Sequence, residues 1–123
     1  MYINADLVVL GREAMQVVDL AERTISDIKS ARYFIMHSDA GCPHSRGLAL
    51  AFIQSSSSGV EEFSEQISII RRKMRKFTLE PECKMALQAK EGVFLIISKA
   101  FEMESGLHDW FEILRSEAEQ FVV

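Results

Sequence analysis

Residues 7–35 read LVVLGREAMQVVDLAERTISDIKSARYFI, and the spacing of their apolar side chains is the clearest structural signal in the sequence. Apolar residues recur every three or four positions, which is the period of one face of an α-helix. Thr24 is the only interruption in the series Leu7, Leu10, Ala14, Val17, Ala21, Ile28, Ala31 and Ile35. Asn4 or Asp6 can cap the start, and residues 38–43, SDAGCP, end the helix. The stretch therefore predicts one N-terminal helix of about 30 residues, which is about 45 Å long.

Two further helices are predicted on either side of a serine-rich stretch. Residues 47–53, GLALAFI, indicate a short helix, and residues 55–59, SSSSG, are typical of a flexible connector. Ser58 and Glu61 have the spacing of a capping box, which starts the next helix. That helix carries strict heptad spacing at Val60, Phe63, Ile67, Ile70, Met74 and Phe77.

The C-terminal part of the sequence predicts one or two more helices. Residues 78–81, TLEP, form a turn and a restart, because proline is preferred at the first helical position. Residues 82–103 follow, and within them residues 93–97, VFLII, fit either a helix or a buried strand. Helix is favoured, since a lone strand finds no partner strand elsewhere. Ser105 or Asp109 caps a last amphipathic helix with Leu107, Trp110 or Phe111, Leu114, Ala118 and Phe121.

The sequence therefore predicts an all-α fold, a single domain over residues 1–123 built as a bundle of four or five helices with one long N-terminal helix. Apolar residues make up 48% and charged residues 26% of the chain, an ordinary globular balance. Two cysteines, the absence of a basic leader and the lack of a long apolar run indicate a cytoplasmic protein that makes no membrane contact. No cofactor is predicted.

Residues 37–44, HSDAGCPH, hold the densest chemistry in the sequence. Imidazole, thiolate and carboxylate groups are the ligand types that zinc takes, and a Gly-Pro turn can fold them towards one point. The candidate metal ligands are His37, Asp39, Cys42 and His44. Their spacing matches no standard zinc module, so a polar turn between helices is the favoured interpretation.

Arg32 and His37 define a second candidate site. The stretch RYFIMH places four residues between an arginine and a histidine, which is similar to the core motif of the HEPN ribonucleases. The resemblance implies a dimeric helical bundle in which these two residues of both protomers meet at the dimer seam. His37 would act as the acid–base on RNA, and Arg32 would hold phosphate charge. A ribonuclease or metal-dependent enzyme centred on residues 32–44 is therefore the alternative function.

Residues 71–76, RRKMRK, are the one basic cluster in a chain of net charge −4. Phosphate binding would use such a cluster, but its bases point around several helix faces and the chain as a whole is acidic. A match to the C-terminal acids explains the cluster better, so nucleic-acid binding is not expected. These acids are Glu102, Glu104, Glu112, Glu117 and Glu119.

The function that the sequence favours is protein–protein interaction by a small helical regulator, adaptor or chaperone-like protein. The first helix is longer than the other predicted helices can cover, and uncovered apolar surface is typical of an interface. We therefore expect a homodimer, and docking of another protein, through one set of residues on that helix. These predicted interface residues are Leu7, Leu10, Val17, Ile28 and Ile35.

Overall fold

The computed structural model describes residues 5–37, 43–75 and 84–122, and it is helical almost throughout these ranges. Helix α1 spans Ala5–His37, α2 spans Pro43–Met74 and α3 spans Lys84–Val122. The predicted all-α class is confirmed. The predicted number of four or five helices is wrong, because the described residues form three long helices that pack as a bundle. Among the described residues, no helix is both long and apolar enough to cross a membrane.

The first error lies at residues 55–59, which continue α2 instead of connecting two helices. The Ser56 hydroxyl donates a hydrogen bond of 2.7 Å to the backbone carbonyl of Phe52, so its polar group is satisfied inside the helix. Ser56 is fully buried, and Gly59 lies directly against Thr24 of α1. These small residues therefore form a tight contact between two helices, and helix propensity is overridden by packing.

The second error lies at Ser105 and Asp109, either of which was expected to cap a separate last helix. Helix α3 runs through both residues, and both are exposed to solvent. Leu107 lies between them and is fully buried, so the apolar period is unbroken on the inner side of the helix. Residues 93–97 lie in the same helix, which confirms helix over strand for that stretch.

Helix α1 is the central element of an up-down-up bundle. It runs antiparallel to α2, because Thr24 meets Gly59 while Phe34 stacks on Phe52 with ring centroids 5.8 Å apart. It runs parallel to α3, as contacts at its two ends show: Gly11 lies against Val93, and Arg32 binds Glu117. Helices α2 and α3 contact α1 more continuously than they contact each other. Their packing therefore leaves the side of the bundle opposite α1 partly open.

The core follows heptad spacing along all three helices, as expected for long helices packed side by side. Its largest fully buried residue is Phe63 at the middle of α2, and Ile28 of α1 is also inaccessible to solvent. Thr24 is the one buried polar residue of α1, and its hydroxyl donates a 2.7 Å hydrogen bond to the Leu20 carbonyl. All three helices exceed 30 residues, so α2 and α3 are long enough to cover the inner face of α1, whose residues Leu10, Val17 and Ile28 are buried.

The close approach at Gly59 leads to a stability prediction. A Cβ added at Gly59 would lie 3.0 Å from Thr24 Cγ2 and 3.2 Å from its Cβ, inside normal contact. Thr24 is β-branched and cannot swing away, so Gly59→Ala should force the helices apart at a cost of about 1–3 kcal/mol. Better helix propensity offsets about 1 kcal/mol of that cost. We expect the variant to melt below the wild type in a thermal scan followed by circular dichroism.

Gly47→Ala in the same helix is the matched control. A Cβ at Gly47 would meet nothing within 4 Å, so only the propensity gain of about 0.5–1 kcal/mol remains. This variant should melt above the wild type. If the two variants shifted the melting temperature in the same direction, the close contact between α1 and α2 would be refuted.

Candidate interaction surface

The residues predicted to form an interface lie inside the bundle. Leu7, Leu10, Val17 and Ile28 are each 5% exposed or less, and Ile35 is partly buried against the same core. They face α2 and α3 of the same chain, so a partner could reach them only if the bundle opened. A homodimer therefore needs a different surface, and the sequence pattern did not locate it.

Arg32 is held by α3. Its Nε donates to both carboxylate oxygens of Glu117, at 3.2 and 3.0 Å, and its Nη2 donates to one of them at 2.9 Å. The guanidinium also lies 5.5 Å from the centre of the Trp110 ring. The hydrogen bonds that Arg32 donates to the Glu117 carboxylate raise the pKa of Arg32 above its ordinary value. Arg32 is thus a fixed cation that links two helices, and its bidentate donor pair is already used.

His37 is exposed at the end of α1, and its ring lies 4.4 Å from the ring of Tyr33. Five residues along a helix correspond to about 140° of rotation, so His37 and Arg32 point to different sides of α1. The structure therefore does not bring the two candidate catalytic residues together within one chain. Whether they meet across two protomers stays a prediction.

The candidate metal ligands are only partly within the described chain. His37 and His44 are both exposed, while Asp39 and Cys42 lie outside the described residues. Within residues 5–37, 43–75 and 84–122, no group of three or more His, Cys, Asp or Glu side chains is placed to hold a metal ion.

The ion pair between Arg32 and Glu117 leads to a second prediction. Both side chains are about 30% exposed, so solvent weakens their attraction. We expect a double-mutant cycle with Arg32→Ala and Glu117→Ala to give a coupling energy of about 1 kcal/mol in urea unfolding. A coupling energy indistinguishable from zero would mean that the pair does not persist in solution.

The basic cluster serves contacts between helices. Arg71 binds Glu104 of α3 at 2.8 Å and lies over the Phe101 ring, 5.0 Å from its centre. This is the expected match between the cluster and a C-terminal acid. Lys73 instead binds Glu13 of α1 at 2.8 Å. Arg71 and Lys73, two of the four described bases in the basic cluster, are thus paired with carboxylates of neighbouring helices. This pairing leaves less positive charge for binding phosphate.

An apolar groove opens between α2 and α3, on the side of the bundle away from α1. It has a volume of about 700 Å³ and is lined by apolar side chains with a few polar ones at its edge. The residues of this α2–α3 groove are Ile53, Ser57, Phe111, Leu114, Arg115, Ala118 and Glu119. The groove exists because α2 and α3 pack mainly on α1 and less on each other. Apolar concave surfaces of this kind are the usual places where proteins bind partners or ligands.

Leu50 extends the apolar character of the groove onto the surface of α2. It lies three residues before Ile53 and seven before Ser57, so all three share one flank of the helix. Its side chain is 40% exposed. The same flank of the bundle therefore carries both a hollow and a projecting apolar side chain.

Comparison of this chain with protein-family models, with curated proteins and with solved structures finds no match. The surfaces of the bundle are therefore the available guide to its function.

Proposed function

We propose that this chain is a small helical protein–protein interaction module and that it assembles as a homodimer through the α2–α3 groove. The observation that carries the proposal is the groove itself, a hollow open to solvent that is lined by the partly exposed Phe111 and Ile53 and by the buried Leu114. Covering apolar surface is favourable by about 25 cal/mol per Å². An uncovered apolar groove in a helical bundle therefore favours a docking function over a purely structural one.

A second copy suits this groove because the surface around it is self-complementary. In a two-fold dimer, each copy uses the same surface to contact the other. That surface must therefore carry both a projecting side chain and a hollow that receives it. Leu50 can supply the projection, and the hollow lies beside it. Each copy would then place its Leu50 towards the groove of the other.

The charges at the groove edge support the same symmetry. Arg115 and Glu119 lie four residues apart on α3. A two-fold axis that crosses α3 midway between them makes the two α3 helices antiparallel, and each Arg115 then lies beside Glu119 of the other copy. Arg115 is free to pair in this way, since its ion pair with Glu112 is 3.7 Å long and both side chains are more than 60% exposed.

A stable dimer requires more contact than the groove alone provides. A standard interface buries about 800 Å² on each partner. In the proposed dimer the contact would therefore extend from the groove onto the neighbouring surfaces of α2 and α3. We place the dimer in the cytoplasm as a regulator, adaptor or chaperone-like protein, because a chain with two cysteines suits a reducing compartment.

Analytical ultracentrifugation of the full chain tests the proposal. At about 50 µM, far above the Kd expected for a stable interface of standard size, wild-type protein should sediment with twice the chain mass of 14.0 kDa. Ala118→Lys places a charge in the groove, while its long stem lets the ammonium reach water and spares the fold. We expect this variant to sediment as a monomer with unchanged helicity.

Ser116→Lys is the control, because Ser116 is exposed on another side of α3. It should remain dimeric. The proposal is refuted if wild-type protein is monomeric at the highest concentration, or if the two lysine variants shift the monomer–dimer equilibrium equally.

A further inference from the structure

A second surface lies on the other side of α3, where α3 meets α1. Five of the eight large apolar side chains exposed in the described chain lie there: Val8, Met15, Met36, Leu95 and Ile113. We call this surface the α1–α3 face. Met36 and Leu95 are each 72% exposed, which is the highest value among these eight. Such a concentration on one side indicates an interface more than scattered surface residues would.

Heptad positions fix the place of these residues on α1. Val8, Met15 and Met36 are separated by multiples of seven residues, so they lie on the same side of α1 and share one heptad position with Glu22 and Lys29. Both of these contact α3: Glu22 is paired with Lys99 at 3.7 Å, and Lys29 lies 5.3 Å from the centre of the Trp110 ring. The apolar residues of α1 are therefore on the flank that borders α3.

The opposing wall on α3 is shaped for close approach of another helix. Gly92, Lys99, Gly106 and Ile113 follow one another at intervals of seven residues and share one flank. A Cβ at Gly92 or Gly106 would meet nothing within 4 Å, so the α3 backbone is open to solvent at both positions. Glycine at such positions lets a neighbouring backbone come near.

The centre of the face is acidic. Asp19, Glu102 and Asp109 are exposed and have no ion-pair partner among the described residues. Three bases lie nearby: Lys99 is paired with Glu22, Lys29 lies over an aromatic ring and keeps its charge, and Arg23 lines the same hollow as Asp19. The carboxylates of this section, counted with Glu22, therefore exceed its bases by one. Apolar side chains thus flank an acidic middle section.

We infer that the α1–α3 face binds an amphipathic helix of another protein that is rich in lysine and arginine. Its apolar residues would contact Met15 and Leu95 at one end and Met36 and Ile113 at the other. Its bases would lie against the acidic centre. Methionine side chains adapt to different apolar partners, which suits such a site. Met15 and Met36 are 21 residues apart in α1, so the bound helix would span about 30 Å.

This site does not depend on the proposed dimer. It lies on the flank of α3 that carries Lys99 and Ile113, whereas the α2–α3 groove lies on the flank that carries Arg115 and Ala118. Both can therefore be filled in one molecule.

Fluorescence anisotropy with two synthetic peptides tests the inference. Both are labelled helices of about 21 residues with leucine at helical spacing, and they differ only in having lysine or glutamate at every polar position. The lysine peptide should bind the full chain at least about tenfold more tightly than the glutamate peptide. The double variant Met15→Ser, Met36→Ser should weaken its binding by about tenfold or more.

Val9→Ser is the matched control, because Val9 is 47% exposed on the opposite flank of the same helix. It should change the affinity by less than about twofold. The Ala118→Lys variant should bind the lysine peptide as the wild type does, which separates this inference from the dimer. The inference is overturned if the lysine peptide does not bind at about 100 µM, if both peptides bind equally, or if Val9→Ser weakens binding as much as the methionine variant.

Discussion

Replacing Ile28 by aspartate should unfold the domain. Ile28 is inaccessible to solvent on the inner face of α1 and belongs to the hydrophobic core of the bundle. A carboxylate at this position would be buried without a partner, and such a change costs at least about 4 kcal/mol. The total stability of a domain is about 5–15 kcal/mol, so most of the folded population would be lost. Far-UV circular dichroism and urea unfolding of the purified variant measure the effect.

Val9→Asp is the matched control, since Val9 is exposed on the same helix. Its free energy of unfolding should stay within about 0.5 kcal/mol of the wild type. The informative alternative is an Ile28→Asp variant that keeps its helicity and becomes monomeric. That result would place Ile28 between two copies of the chain and would contradict the intramolecular core.

Phe63→Ala should give the second large loss of stability. Phe63 is the largest fully buried side chain of the described bundle, and it lies at the centre of α2. Removing a buried aromatic ring leaves a cavity and costs about 3–5 kcal/mol. Phe63→Leu keeps most of the volume and should cost less than about 1.5 kcal/mol. Urea midpoints compare the two, and similar small losses for both would show that the core is loosely packed.

The sequence was most informative about α1. Its apolar residues recur on one face, and its observed range of Ala5–His37 agrees with the predicted helix of about 30 residues. The predicted caps at Asn4 and residues 38–42 lie outside the described residues, and Asp6 lies within the helix. Thr24 looked like an interruption of the pattern, but its hydroxyl is satisfied by the Leu20 carbonyl. The absence of a side chain at Gly59, opposite the buried Thr24, is what allows α1 and α2 to approach closely. The spacing of residues within one helix contains no information about which residue of a neighbouring helix packs against it.

The same limit explains the errors in α2 and α3. Residues 55–59 have the composition of a connector, and only the neighbouring helix turns that composition into a tight contact. Ser105 and Asp109 are typical helix-capping residues, yet both lie on the exposed side of α3, where they cost little. In both cases packing against the neighbouring helices outweighs the local preference of these residues for a loop or a helix end.

The wrong number of predicted helices also explains why the interface was predicted on the inner face of α1. Short helices would have left much of α1 uncovered, so its apolar residues were assigned to a partner. With α2 and α3 as long as α1, the chain buries Leu10 and Val17 by itself. The α2–α3 groove depends on the distance between these two helices, and the spacing of apolar residues along the sequence does not predict that distance. Only the apolar series containing Phe111, Leu114 and Ala118 could have pointed to it.

A charge-reversal experiment shows whether two copies of the chain meet through the α2–α3 groove. Arg115→Glu would place like charges beside Glu119 of the other copy at two symmetric points. We expect the dissociation constant of the dimer, measured by sedimentation equilibrium, to rise by about tenfold in this variant. Adding Glu119→Arg restores opposite charges across the interface and should return the constant to within about threefold of wild type. Equal dissociation constants for all three proteins, or a double variant weaker than the single one, would contradict the account.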